Sequence, residues 1–139
     1  MKVLLTGGAG FIGSHTCVEL LNQGYEPIIA DNFSNSKPDV IRRIKEITGK
    51  DVSVYAIDVA DKKALDELFV KESPECVIHF AGFKAVGESV EKPVMYYRNN
   101  IDTTLTLLEV MKAHNVSDFV FSSSATVYGI PESVPLREG

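Results

Sequence analysis

The glycines of Gly7-Gly8-Ala9-Gly10-Phe11-Ile12-Gly13, with Asp31 about 20 residues further on, have the spacing of a site that grips a diphosphate and the ribose beside it. Gly7, Gly10 and Gly13, or equally Gly8, Gly10 and Gly13 in the G-x-G-x-x-G pattern, serve a tight turn, a close approach of backbone to pyrophosphate, and close packing of a helix on a strand. A glycine cluster alone is a weak signal, since ordinary loops contain them too. Here the apolar run Val3-Leu4-Leu5 precedes the cluster and a helix-patterned segment follows, which makes residues 1–31 a βαβ unit. Backbone amides at the helix start then face the phosphates, where the helix dipole also favours negative charge. Asp31 closes the second strand, where a carboxylate accepts ribose hydroxyls and repels a 2′-phosphate. Asn32 follows it instead of arginine and no basic residue appears before Lys37, so the pattern favours NAD over NADP. The plainer alternative for Asp31 is a turn cap within Asp31-Asn32-Phe33-Ser34-Asn35-Ser36.

In a sheet of this kind ligands bind beyond the carboxyl ends of the strands, so the residues just past each apolar run are the candidates. They are the glycine loop after the first run, Asp31 with Asn35 and Ser36 after the second, and Asp58-Val59 after the third. Ala81-Gly82-Phe83-Lys84 follow the fourth and Ser122-Ser123-Ser124 the fifth. Small Ala81 and Gly82 let a cofactor pass close to the backbone. Lys84 places an ammonium near phosphate or a sugar hydroxyl, or is a plain surface lysine. Ser124 reads better as a hydrogen-bond donor than as a nucleophile, because His15, His79 and His114 form no triad-like pattern. His79 sits inside an apolar strand and reads as a satisfied core histidine, His15 and His114 as helix-surface residues, and none has metal-ligand spacing. Asn99 and Asn100 fall mid-helix, where asparagine is disfavoured, and Asn99 is the one expected to face the cofactor.

The elements that must position these groups alternate along the chain. Val3 to Leu5, Pro27 to Ala30, Val52 to Ile57, Cys76 to Phe80 and Phe119 to Phe121 read as strands, separated by helical patterns. Nearly continuous apolar character suits strands buried on both faces. The expected fold is therefore α/β: a Rossmann-type doubly wound parallel sheet, five strands in the order 3-2-1-4-5 with helices on both faces. Gly24 follows the first helix, Pro38 opens a second that Gly49 ends, and Asp61 caps a third whose Ala64, Leu65, Leu68 and Phe69 form one stripe, with Asp66, Glu67 and Glu72 on a solvated face. A fourth helix, 93–114, carries two stripes. Val94, Tyr97, Ile101, Leu105 and Leu108 make one, and Tyr96, Leu107, Val110 and Met111 the other, so a second helix, from this chain or another, should cover the spare face. Arg42, Arg43 and Lys45 read as the solvated face of the second helix. Six strands are usual for this fold; five are present and the fifth would be an exposed edge, so the reading is a truncated chain.

The 139 residues, 45% hydrophobic, make one domain's worth of chain, enough to bury roughly two-thirds of its unfolded surface. The net charge of −5 argues against a nucleic acid or an acidic membrane as partner. Cys17 and Cys76 fall in core-like patterns and read as buried thiols in a reducing compartment. No signal peptide or run of transmembrane length is present, so the expected setting is cytoplasmic.

TGGAGFIGSH at 6–15, Asp31-Asn32, Asp58, HFAGFKAVGES at 79–89, the Asn99-Asn100 helix and SSSATVYG at 122–129 resemble the extended short-chain dehydrogenase/reductase superfamily and, more narrowly, its UDP-glucose (UDP-galactose) 4-epimerase family. The glycine loop fits the whole superfamily; the two later blocks are more specific. Nucleotide-sugar 4,6-dehydratases are similar elsewhere but usually carry an acidic residue where this chain has Ala125-Thr126. The resemblance implies NAD held tightly, with the Phe11 and Ile12 amides on pyrophosphate, Asp31 on the adenosine ribose, and Asp58 and Val59 around adenine. It implies Phe80 to Lys84 along the cofactor, Lys84 and Asn99 toward the nicotinamide half, and Asn32, Asn35, Ser36 and Ser122 completing the cofactor set. On the UDP-sugar side it implies Lys84, Thr126 and Ser124, with Ser124 bonded to the sugar's 4-hydroxyl. In the family, a tyrosine of a Tyr-x-x-x-Lys motif takes that proton while hydride moves from sugar C4 to NAD, the 4-keto sugar turns over, and hydride returns to its other face. The family also pairs as a homodimer through the equivalent of helix 93–114.

No Tyr-x-x-x-Lys occurs after Ser124: Tyr128 has Pro131 and Glu132 at the third and fourth positions beyond it. The expectation is an incomplete NAD-binding domain over 1–139, without its substrate domain and inactive alone. Two alternatives stay open, a 4,6-dehydratase relative and a non-catalytic NAD-binding module.

Overall fold

A computed structural model of the chain describes residues 1–130 and 134–135. Five strands, β1 (Lys2–Thr6), β2 (Glu26–Ala30), β3 (Ser53–Tyr55), β4 (Cys76–His79) and β5 (Asp118–Phe121), form one parallel sheet in the order β3-β2-β1-β4-β5. Central β1 explains why its sequence does not alternate. Leu4 faces one helical layer and Val3 and Leu5 the other, and all three are buried. On Leu4's side, Ile28 and Val77 pack with α3 (Lys62–Glu72) through Leu65, Leu68 and Phe69, and with α6 (Thr103–Ala113) through Leu107, Val110 and Met111. On the other side, Ile29 packs with α1 (Phe11–Asn22) through Cys17 and Leu21, and with α2 (Asp39–Thr48) through Ile44.

Helix boundaries follow their signals. The Asp61 carboxylate accepts the amides of Lys63 and Ala64 and starts α3. Gly49 ends α2 at a φ of +69°, a conformation that favours glycine. β3 is shorter than its apolar run: Ile57 lies beyond the strand, and Val52 before it packs on the core.

The expected single helix over 93–114 is composite. α4 (Val86–Glu91) precedes it, α5 (Pro93–Tyr97) begins it, a π-helical turn (Arg98–Asp102) interrupts it, and α6 completes it. Short α4 has no buried residue: Val86 and Val90 stand four apart but both are exposed, and six residues are too few for a helical period to stand out. Lys92, at φ −128° ahead of Pro93, separates it from α5 because a residue before proline is pushed out of the helical region. The two stripes part as their spacing implies. Tyr96, Leu107, Val110 and Met111 are buried, whereas Val94, Tyr97, Ile101, Leu105 and Leu108 are 41–68% exposed. Val120 and Phe121 on edge strand β5 are also exposed.

Three polar readings change. His114 is not a plain surface residue: it is half-buried, packs on Phe69 and shares a 2.8 Å contact with Asp66, tying α6 to α3. Glu72 is not a free solvated acid. The Tyr55 hydroxyl donates to it at 2.5 Å and Lys2 also binds it, and these partners, Tyr55 foremost, hold its carboxyl below the usual range. Cys76 is only half-buried, while Cys17 is buried and its thiol is pushed up to about 12 by desolvation; neither is in a disulfide.

Replacing Asp61 by alanine removes the acceptor for two otherwise unpaired α3 amides. Asp61→Ala should cost about 1 kcal/mol, read as a lower urea midpoint at unchanged slope.

Candidate functional site

β1 ends at Thr6, and Gly7 turns the chain over the neighbouring strand ends. Gly7 adopts φ +68°, donates to Ala30 O at 2.8 Å, and sits so close to the end of β4 that a Cβ on it would lie 2.7 Å from Ala81 N. Gly13 is equally constrained: a Cβ there would lie 2.6 Å from Gly7 O. Gly8 is constrained as well, since a Cβ there would lie 2.9 Å from Leu5 O, so the loop has three close backbone approaches and, at Gly7, one left-handed residue. α1 starts immediately after, capped by Gly10 without a side-chain acceptor and with no acid in its first turn. Its first amides, at Phe11, Ile12 and Gly13, have no carbonyl within the helix to bond, and the dipole makes that end positive. Phe11 and Ile12 are 83% and 53% exposed and line neither cleft described below, which leaves only their backbone amides for the part expected of them.

Asp31 takes the turn-capping role foreseen as its alternative, and it lines the cleft described below. Its carboxylate is only 8% exposed; one oxygen accepts Ala9 N at 2.9 Å, and the other accepts Phe33 N at 2.9 Å and Ser36 Oγ at 2.8 Å. The turn is capped and the glycine loop is fastened to the end of β2. Three of roughly four acceptor directions on the carboxylate are taken by protein donors, which orient the remainder toward the cleft. Next to it the Asn32 amide donates to Asp58 at 3.1 Å, and Asp58 also accepts Ala60 N, which joins the ends of β2 and β3.

A cleft of about 590 Å³ opens here, lined by Gly7, Gly10, Asp31, Asn32, Asn35, Ser36, Asp58, Val59, Phe80, Ala81, Gly82 and Asn99. A second, of about 950 Å³, adjoins it across the shared wall Phe80-Ala81-Gly82-Phe83 and takes in Lys84, Ser122 and Ser124. Lys84 and Ser124 therefore fall together, as expected for a substrate side, and Ser122 lies with them instead of in the first cleft. Thr126 belongs to the 3₁₀ turn Ala125–Tyr128, and its side chain lies outside the described residues.

Several lining residues were not foreseen. Ile57, Ser34 and buried Thr103 line the first cleft; Ser89, Tyr96, Asn100 and Thr104 line the second. Asn100 was visible as half of an unusual mid-helix pair, but nothing in the spacing said that it would reach back to Phe83, which it binds through both N–H and C=O.

His79 is satisfied in the core, as its apolar strand implied. Thr104 has one hydroxyl proton and donates it to Asn100 O at 2.8 Å, so its oxygen accepts from His79 Nε2–H at 3.0 Å. His79 Nδ1 then accepts from Thr6 Oγ1 at 2.5 Å. Desolvation first, and the charge of Lys84 second, lower this imidazole to about 4. Among the described residues, no group of three His, Cys, Asp or Glu side chains is placed to hold a metal, and no helix is long and apolar enough to cross a membrane.

Residues 4–139 match the family model described as GDP-mannose 4,6 dehydratase. The chain is 56% identical over 138 residues to the UDP-glucose 4-epimerase of Bacillus subtilis (strain 168) and 57% identical over 143 residues to that of Homo sapiens, in each case across 99% of this chain and 41% of the relative. Among solved structures it superposes with a TM-score of 0.96, at 54% identity, on UDP-glucose 4-epimerase from Bifidobacterium longum in complex with NAD+ and UDP, covering 99% of this chain and 41% of that one. The Stenotrophomonas maltophila enzyme with bound NAD and formylated UDP-arabinopyranose gives 0.94 at 43% identity, over 98% and 40%. The chain thus spans about 41% of the length of the curated relatives it matches.

The neutral His79 has a stability consequence. Its folded value of about 4 lies below the ordinary 6.5, so the unfolded chain binds the proton first as pH falls. The contribution is full above pH 6.5 and is lost as pH falls through 4, about 3 kcal/mol in all. Urea midpoints at pH 7 and pH 4.5 should differ more for the parent than for His79→Gln, which has no imidazole to titrate.

Proposed function

The chain belongs to the GDP-mannose 4,6 dehydratase family, with UDP-glucose 4-epimerases as relatives along nearly its whole length, and from that premise we propose that it is the NAD-binding part of a UDP-glucose 4-epimerase. The observation that carries the reading is the glycine loop pinned by Asp31 at the start of α1, beside two clefts with a common wall. The residues present fit the dinucleotide. Unpartnered first-turn amides suit its diphosphate, the fixed carboxylate suits a ribose with free hydroxyls, and glycine and alanine at the wall leave room for a flat ring. When bound, NAD supplies a hydride acceptor and donor at the sugar's C4.

The chain's own residues divide the work. Asp31 and the Phe11, Ile12 and Gly13 amides anchor the adenosine and phosphate end; Asn32 and Asp58 frame the adenine side. Ala81 and Gly82 let the cofactor lie against backbone, and Asn99 faces it from the π-helical turn. Lys84, on the far side of the wall, adds positive charge toward the substrate's phosphates or sugar, and Ser124 is the group for the 4-hydroxyl. Proton removal from that hydroxyl falls to a Tyr-x-x-x-Lys pair, a pattern the 139 residues do not contain. Residues 1–139 would accordingly act as a cofactor-binding unit that carries Lys84 and Ser124 on the substrate side, with the general base supplied from outside them. The exposed stripe Val94, Tyr97, Ile101, Leu105 and Leu108 supports pairing of two copies through this helix, and the unpaired thiols support a reducing cytoplasmic setting. The high identity to 4-epimerases favours epimerisation over 4,6-dehydration, the other reading that the family model admits.

Calorimetric titration should show NAD binding at least about tenfold tighter than NADP, and Asp31→Ala should weaken NAD by roughly 10- to 100-fold. Equal affinity for the two cofactors would sink the assignment of Asp31. The purified 139-residue polypeptide, free of host enzyme, should not convert UDP-galactose to UDP-glucose, because loss of a general base alone costs on the order of 10²- to 10⁴-fold. Measurable conversion would count against the proposed division of labour.

A further inference from the structure

Building on the dinucleotide reading of the cleft, we propose that Asn100 is a positioning residue: its carboxamide fixes the Phe83 peptide and thereby sets the wall against which the cofactor lies. Its Oδ1 accepts Phe83 N at 2.8 Å and its Nδ2 donates to Phe83 O at 3.0 Å, so one side chain holds both polar groups of a residue 17 positions away. The Asn99 amide donates to the same Oδ1 at 2.9 Å, which couples the side chain expected to face the cofactor to the one that holds the wall.

The wall needs such a tie. Upstream, Phe80 N is bonded to Thr6 O at 2.9 Å; downstream the chain runs into α4, which has no buried residue. Phe83 lies between the sheet and that surface segment, its ring 5.4 Å from Tyr96. Asn100 also lies against Gly82, where a Cβ would sit 3.4 Å from Oδ1 in ordinary van der Waals contact. The π-helical turn sets the angle. One extra residue in the turn redirects the side chains, and the hydroxyls of Thr103 and Thr104 take the carbonyls of Asn99 and Asn100. Through Thr104 the turn is fastened to His79, and through His79 to Thr6 on β1. Asn100 is thus supported by two strands and a helix, the kind of backing that holds a binding surface to within a fraction of an ångström.

The test combines NAD titration with amide hydrogen exchange in the absence of NAD, on the parent, Asn100→Ala, Asn100→Asp and Ile44→Val. Ile44 packs on the face of the sheet opposite α6, so its truncation lowers stability and leaves the Asn100–Phe83 bonds in place. In Asn100→Ala, Phe83 amide exchange should rise and NAD affinity fall, each by about tenfold. Asn100→Asp keeps the acceptor for Phe83 N–H and loses the donor, and should fall between; it carries the test if the alanine variant does not fold. Ile44→Val should melt lower with NAD affinity within twofold of the parent. Folded Asn100 variants that bind NAD as the parent does would overturn the role given to Asn100 while leaving the cleft assignment intact. A parent that fails to bind NAD, with Phe83 still protected through Asn100, would overturn the cleft assignment and this role with it.

Discussion

Gly7 and Ala81 meet where β1 and β4 end, and no carbon atom fits between them. With φ at +68° and a hypothetical Cβ 2.7 Å from Ala81 N, Gly7 lets the chain fold sharply over the neighbouring strand and enter α1 within a few residues. The same contact decides where the site lies. It brings the amino end of a helix, with its unpartnered amides, against the wall that begins at Phe80, at the point in the sheet where β1 has β2 on one side and β4 on the other. A larger residue at position 7 would separate the start of α1 from that wall.

Charge is arranged with the same economy. Asp31 is a buried carboxylate held by backbone amides and a serine hydroxyl, and none of those three bonds comes from a cation. Its negative charge is therefore not cancelled by a cation among these three donors, and under the proposed reading it would disfavour a further phosphate on a ribose bound there. The positive end of α1 lies one step away, so a ligand with a diphosphate next to an unphosphorylated ribose meets each sign in its proper order. No metal is needed to make that pattern, since peptide dipoles supply the positive part.

Where the sequence was legible, a local rule and the tertiary structure agreed. The apolar runs, the βαβ spacing and Asp61 ahead of α3 each report one element's needs, and the five-stranded order followed from them. The strand-end rule found Asp31, Asp58, Ala81 and Gly82 because a strand must deliver its next residues to the same edge. What escaped was decided by contacts between distant segments. Asn100 reaches Phe83 because a π-helical turn rotates it there, and no propensity signals that turn. α4 escaped because six residues with only Val86 and Val90 as an apolar pair are too few to show a helical period. Glu72 and His114 were misread because their partners, Tyr55, Lys2 and Asp66, come from elements brought together only by folding.

His79 shows how the wall keeps its charge on the open side. Burial makes a proton on this imidazole costly, and the nearby Lys84 makes it costlier. The ring responds by remaining neutral and using both nitrogens as links, accepting from Thr6 and donating to Thr104. A charged His79 would be a donor at both nitrogens, which the Thr104 bond tolerates and the Thr6 bond survives only if that hydroxyl turns to accept. Neutrality therefore preserves the bond from Thr6 that begins the hydrogen-bond chain running through His79 and Thr104 to the Asn100 carbonyl, and it leaves Lys84 as the cation lining the second cleft. An anion entering there would meet an exposed ammonium, while the imidazole behind it is neutral with both nitrogens bonded.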